Sequence, residues 1–171
     1  MKIIVFLFCG LLFAFSGINL FAQDMTIILL RHAEKDVSPQ ANKYDPDLTA
    51  AGKERAERLV ETIRKYKPEQ IFSTNYKRAR ETVDPLAENL NEKYRIQVQS
   101  YDFDELEAFA DTLLKSNART IVVVGHNNTT PALANLLIKQ NKYKDLQDSE
   151  YDKIFIIKIK NGKVKDTVIE Y

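Results

Sequence analysis

The 171-residue sequence contains one cysteine, two histidines and almost no charge imbalance. Each shortage excludes something. The cysteine, Cys9, falls in a leader that reads as removable, so the mature chain has no thiol. That excludes cysteine-nucleophile chemistry and thiolate metal sites, and it suits an oxidising compartment. Two histidines without thiols cannot build a familiar closed zinc site unless several carboxylates join them, so neither a metal nor another cofactor is expected. Lysine and arginine number 25 against 24 aspartates and glutamates. Lys2 is the only charge in the leader, so what remains is balanced. A balanced surface speaks against nucleic-acid binding, which needs clustered positive charge. It speaks equally against polybasic attachment to a membrane. Past the leader there is no internal repeat, no low-complexity tract and no Pro/Gly/Ser-rich linker.

Residues 1–22 have the layout of a secretory signal peptide: a basic start at Lys2, an apolar stretch over residues 3–15, and Ala22 before Gln23. The stretch is shorter than the roughly 20 residues of a membrane-spanning helix. Leu20 is larger than the residue usual three positions before such a cut. Cleavage after residue 22 leaves 149 of the 171 residues, one domain at 23–171 with a full hydrophobic core. The domain is expected to be exported, to the periplasm or beyond.

Residues 25–30, β-branched and apolar on both faces, read as a buried strand; residues 70–72 read as a short strand, 95–99 as a third, and 119–124 as the most strongly apolar one. Helical periodicity lies between them. Thr49 caps a helix running to about Tyr66, with Ala56, Leu59, Val60 and Ile63 inward. A second helix buries Ala79, Val83, Leu86, Ala87 and Leu90, with a kink or restart at Asp84-Pro85. A third starts at Asp104, and a fourth covers residues 132–138 behind the cap-and-proline pair Thr130-Pro131. Asn161-Gly162 between residues 154–160 and 164–169 is a two-residue hairpin signal. The alternation predicts a three-layer α/β/α fold with a mostly parallel central sheet and a C-terminal antiparallel hairpin at its edge. Residues 139–153 read as a solvated polar loop, with Tyr143 and Tyr151 placed at the edge of a pocket.

Three segments put polar chemistry at strand ends, the rim where open α/β sheets bind ligands. Leu30-Arg31-His32-Ala33-Glu34-Lys35 follows the first strand. A neutral histidine can attack phosphorus while its other ring nitrogen is held by a hydrogen bond, and the neighbouring guanidinium can fork two donors to phosphate oxygens. Ser73 to Thr82 follows the second strand into a helix start, where free N–H groups favour anions. Arg78 in that first turn opposes the helix dipole, which suggests a functional demand. Arg80 is taken as a solvated surface residue. Gly125-His126-Asn127-Asn128 follows the last parallel strand.

These segments resemble the histidine phosphatase superfamily, the phosphoglycerate-mutase-like fold. The family's Arg-His-Gly motif is similar to Arg31-His32-Ala33, and its Leu-Thr-x-x-Gly segment to Leu48-Thr49-Ala50-Ala51-Gly52. Its Ser-x-x-x-x-Arg-Ala-x-x-Thr segment matches Ser73 through Thr82, and its Gly-His loop matches Gly125-His126. The resemblance implies that His32 is the phosphorylated nucleophile and that Arg31, Arg78 and His126 line the phosphate pocket. Two departures stand out. Ala33 replaces a glycine. The family's acidic Leu-x-Glu-x-x-x-Gly segment after the third strand is missing. Asp102 is the first candidate for the general acid in its place, with Asp104 and Glu105 as the others; Asp104 equally suits a helix cap. The chain is similar to the compact bacterial phosphohistidine phosphatases in lacking insertions. The resemblance implies a metal-independent phosphatase acting on a small phosphorylated substrate or a phosphoprotein. The missing acidic segment keeps a catalytically silent phosphate-binding module on the same fold as the alternative.

Overall fold

Residues 27–30 and 121–124 are apolar on both faces, and every one of them is buried. They form the centre of the sheet in a computed structural model that describes residues 24–94 and 96–171. The expected signal segment with its Cys9, and Arg95 at the expected start of the third strand, lie outside the described residues. The elements run β1 (Met25–Arg31), α1 (Ala50–Ile63), β2 (Gln70–Ser73), α2 (Lys77–Tyr94), β3 (Val98–Ser100), α3 (Leu106–Leu114), β4 (Thr120–Gly125), α4 (Thr129–Ile138), β5 (Lys153–Lys160) and β6 (Lys163–Glu170). The six strands lie in the order β3-β2-β4-β1-β5-β6. The first four are parallel, and β5 and β6 close the sheet antiparallel.

Alternate residues of each strand face opposite layers. Ile28, Leu30, Ile71, Val122 and Val124 pack with Leu59 and Ile63 of α1 and Val83 and Leu86 of α2. Ile27, Leu29, Phe72, Ile121 and Val123 pack on the other side with Phe109 and Leu113 of α3 and Leu133 and Leu137 of α4. This is the expected α/β/α sandwich. The hairpin turns at Asn161 and Gly162, with φ of 50° and 72°, the pair of left-handed residues that an Asn-Gly turn supplies.

The structure moves several sequence-based boundaries. Pro85 does not restart α2, which runs through it as one helix from Lys77 to Tyr94. A proline inside a helix costs about 3 kcal/mol. Val83 and Leu86 beside it are fully buried, at roughly 1.5–3 kcal/mol each, which outweighs that cost. The third strand is shorter than expected and begins at Val98. Helix α3 starts at Leu106 rather than Asp104, and no side chain caps it. Helix α4 starts earlier than expected, capped by the Asn128 side chain, with Thr130 and Pro131 inside it. Thr130 has another partner: its hydroxyl donates to the Leu30 carbonyl at 3.2 Å. Residues 139–153 are not simply solvated, since Leu146 is buried and bonded through its N–H to the Asn127 carbonyl. Arg80 is no free surface residue either, because its Nη1 donates to the Val98 carbonyl at 3.2 Å and ties α2 to β3.

β1 and β4 are neighbours, yet the helices that follow them, α1 and α4, pack on opposite faces. Their carboxyl ends therefore open a crevice between two diverging loops, the switch point of the sheet. The Thr49 hydroxyl accepts the Gly52 N–H at 3.1 Å and donates to the Glu34 carbonyl at 3.3 Å, fixing α1 against the loop after β1. A β-carbon at Gly52 would lie 2.4 Å from the Glu34 carbonyl oxygen. Gly52→Ala should therefore destabilise the protein by about 1–3 kcal/mol, against the roughly 0.5–1 kcal/mol gain usual for that change in a helix. A urea unfolding midpoint that rises instead would contradict this packing.

Candidate active site

The backbone aims the first histidine before its side chain is considered. The His32 N–H donates to the Gly125 carbonyl at 2.9 Å, continuing the β1–β4 ladder by one residue. The Ala33 N–H donates to the Thr82 hydroxyl at 2.9 Å, and that hydroxyl donates to the Arg78 carbonyl at 2.6 Å. The loop is thus pinned to β4 on one side and α2 on the other. The final threonine of the Ser73–Thr82 segment is a loop anchor.

The His32 ring is buried, and its Nδ1 lies 2.7 Å from the Ala33 carbonyl oxygen. A carbonyl only accepts, so Nδ1 carries the proton and Nε2 keeps its lone pair. The His126 ring stands 5.5 Å from it, centroid to centroid, at 66°. Gly125, just before His126, is packed too tightly for a side chain. A β-carbon there would sit 2.8 Å from the Tyr101 hydroxyl and 2.9 Å from the Thr129 hydroxyl, and the latter accepts the His126 N–H at 3.0 Å.

The Arg31 guanidinium is held by main chain. Its Nη1 lies 2.8 Å, 3.2 Å and 3.0 Å from the carbonyl oxygens of Gln147, Asp148 and Glu150. Its face rests 4.0 Å from the centroid of the Tyr151 ring. Arg78 lies 4.2 Å from the Tyr76 ring centroid, with the Asp45 carboxylate 3.9 Å away. Asp45 also accepts the Lys77 N–H at 2.8 Å. It supplies the anionic start that α2 lacks in its own first turn and offsets the misplaced Arg78 charge.

Arg31, His32, Arg78 and His126 line one cavity of about 250 Å³, together with Lys35 and Asp148. Arg31 Nε, Arg78 Nε and His126 Nε2 are buried and have no hydrogen-bond partner among the described residues. An unpartnered buried polar group costs about 1–3 kcal/mol. Three of them around one small cavity suit a ligand with several acceptor oxygens. Burial pulls the His32 imidazole down to about 3, helped by Arg78, His126 and Arg31 and opposed by its bond to the Ala33 carbonyl. His126 is pulled down to about 4 by burial and by Arg78 and Arg31. Both rings are neutral at pH 7. Burial also lowers both guanidinium groups from their ordinary value, Arg31 and Arg78 alike.

The structure therefore brings together the four basic residues singled out in the sequence. The three acid candidates stand elsewhere. Asp102, Asp104 and Glu105 are exposed and do not line this cavity. Asp102 lines the adjoining cavity, and its carboxylate accepts the Asp104 N–H at 2.9 Å. Tyr151 borders the site as expected, 6.1 Å from the His32 ring. Tyr143 does not; it packs on Phe155 and bonds Asp166. Sequence reasoning missed Tyr76, Phe103, Lys35, Asp148 and the carbonyl grip on Arg31. Tyr76 lies inside a segment already marked, so its place was readable. The carbonyls carry no signal, because every residue has one.

The family model for the histidine phosphatase superfamily (branch 1) matches residues 27–107. Among solved structures, a candidate phosphohistidine phosphatase, SixA, from Agrobacterium tumefaciens aligns with a TM-score of 0.64 at 19% identity, covering 86% of this chain and 99% of its own. The protein histidine phosphatase SixA complexed with tungstate gives 0.64 at 15%, covering 85% and 97%. A candidate α-ribazole-5′-phosphate phosphatase from Escherichia coli gives 0.69 at 15%, covering 86% and 97%. At these identities the likeness is one of fold. No curated protein sequence matches the chain.

A dianion in the cavity should raise the His126 pKa from about 4, so that binding takes up a proton. Sulfate, dianionic throughout the range, should bind more tightly as pH falls from about 8 to about 5, and His126→Gln should abolish the proton uptake. Calorimetry in buffers of different ionisation enthalpy reads this directly. An affinity indifferent to pH would contradict it.

Proposed function

We propose that this phosphatase, a histidine phosphatase superfamily protein by its match over residues 27–107, carries the phosphoryl group on His32 between its substrate and water. The observation that carries the reading is a neutral imidazole of fixed tautomer among buried, unpartnered nitrogen atoms of Arg31, Arg78 and His126. In the first step the Nε2 lone pair attacks phosphorus in line. The bond from phosphorus to the leaving atom breaks, and its electron pair departs with the leaving group. In the second step a water oxygen attacks phosphorus. The P–N bond breaks, its pair returns to the imidazole, and the water proton leaves with phosphate or solvent. Arg31 and Arg78, joined by His126 as it takes a proton from solvent while the dianion is bound, stabilise the charge on the equatorial oxygens.

The acid shapes the substrate range. Asp102, lining the adjoining cavity, is the group we assign to protonate the departing atom, from the leaving-group side. Without a carboxylate after β3 in the phosphate cavity itself, substrates with good leaving groups are favoured: phosphohistidine, acyl phosphates and acidic monoesters. The clustered cations supply what a metal would, which supports metal-independent turnover. Residues 1–22 are proposed as a cleaved export signal, on their sequence layout.

Para-nitrophenyl phosphate needs little help from an acid, so it should be hydrolysed, in EDTA as well as without it. Acid-labile phosphate should be trapped on His32. His32→Ala should abolish turnover, and Arg78→Ala or His126→Ala should lower kcat about 10²–10³-fold. Binding of the ester without turnover would leave the silent module as the reading. Restoration of an EDTA-treated enzyme by a divalent ion would overturn metal independence. Full-length chain expressed in a bacterium should end up outside the inner membrane beginning at Gln23; a cytosolic product retaining Met1 would overturn export.

A further inference from the structure

The phosphate cavity is the smaller of two that adjoin. Its neighbour encloses about 580 Å³ against about 250 Å³, and the two share Tyr76 and Phe103 as walls. The Tyr76 and Phe103 rings lie 5.9 Å apart at 37°, and each meets the His126 ring edge-on, at 5.3 Å and 5.6 Å. Away from the phosphate site the larger cavity is lined by Tyr44 and Tyr101, with Asp45 and Asp102 as its charged groups. Among the described residues no lysine or arginine lines it.

Tyr44 is the unusual member. It is 90% exposed, although it belongs to a loop that is well tied down. The Asn42 side-chain carbonyl accepts the N–H groups of Tyr44 and Asp45, at 3.0 Å and 3.2 Å. Asp45 accepts the Lys77 N–H, and the Asp36 N–H bonds the Asp47 carbonyl at 2.8 Å. The ring is presented by a fixed backbone, at the wall of a cavity that opens onto the nucleophile. Such a ring gains most from covering a flat partner, and aromatic faces also attract cations. Asp102 repels an anionic group in the same space, while the Asp45 charge is partly offset by Arg78 at 3.9 Å.

We propose that the larger cavity receives the group to which the phosphate is attached, and that it selects a flat aromatic or heteroaromatic group that is neutral or positively charged. The substrate is then bipolar: doubly negative at the phosphoryl end, ring-shaped and uncharged or cationic at the other. Phosphate esters whose alcohol or phenol part carries a free carboxylate are disfavoured. This inference rests on the His32 reading of the smaller cavity, since that reading sets which end of the substrate enters where.

Three aryl phosphates test it: 4-(aminomethyl)phenyl, 4-methylphenyl and 4-(carboxymethyl)phenyl phosphate. The methylene keeps the acidity of the three phenols similar. Acetyl phosphate serves as the substrate without a ring. The kcat/KM should fall in the order given, about tenfold from first to last. Tyr44→Ala should reduce the preference for aryl substrates over acetyl phosphate several-fold, through KM rather than kcat. Asp102→Asn should narrow the gap between the aminomethyl and carboxymethyl compounds. Equal kcat/KM for all three, or an aryl preference untouched by Tyr44→Ala, would overturn the subsite while leaving the His32 chemistry standing. Should nothing turn over, the His32 chemistry fails, and the calorimetric affinities of the same three compounds decide the subsite: the same order supports it and no order refutes it.

Discussion

The pairing of β1 with β4 is the constraint on which the rest depends. Its register runs unbroken from Thr26 opposite Thr120 to Arg31 opposite Gly125, and the His32 N–H adds one more rung. That ladder decides that both histidines leave the sheet side by side. A slip by one residue would turn alternate side chains to the wrong layer and carry the two rings apart. The buried apolar residues on both faces make such a slip costly, so the core sets the geometry of the polar site.

Electrostatics then work against the site's own residues. Two guanidinium groups and two imidazoles are gathered where burial disfavours their charge. The imidazoles respond by staying neutral, and that is what leaves a lone pair on His32 Nε2. The guanidinium groups cannot respond in that way and need acceptors. Arg31 finds three carbonyl dipoles, and Arg78 finds a carboxylate only at 3.9 Å. Dipoles satisfy donors without cancelling charge, so the positive potential survives for an anion. A tight carboxylate partner in their place would have neutralised the cavity.

Much of this was legible in the sequence. Strand–helix alternation gave the layers, and the Asn161-Gly162 pair gave the hairpin. His32, Arg31, Arg78 and His126 were marked because reactive residue types at strand ends are informative in this class of fold. What failed has physical causes. Pro85 suggested a break because local propensity speaks against proline in a helix, but burial of the neighbouring α2 face overrides it. Thr130 resembled a cap because threonine suits caps, while its hydroxyl is committed to Leu30. Arg80 looked idle because its partner, the Val98 carbonyl, is eighteen positions away and invisible to local patterns. The loop over residues 139–153 looked solvated because its side chains are polar; its contribution to the site comes from its backbone.

That last feature has a consequence for how the protein can change over time. The grip on Arg31 is made by peptide oxygens, which every amino acid possesses. The grip itself is therefore indifferent to side-chain identity at 147, while the Glu150 carboxylate also braces the turn by accepting the Gln147 N–H at 2.7 Å and Asp148 lines the cavity. Insertion or deletion of a single residue is another matter, because it would displace the carbonyls themselves. Lineages carrying this site should keep the span of that loop far more faithfully than its spelling.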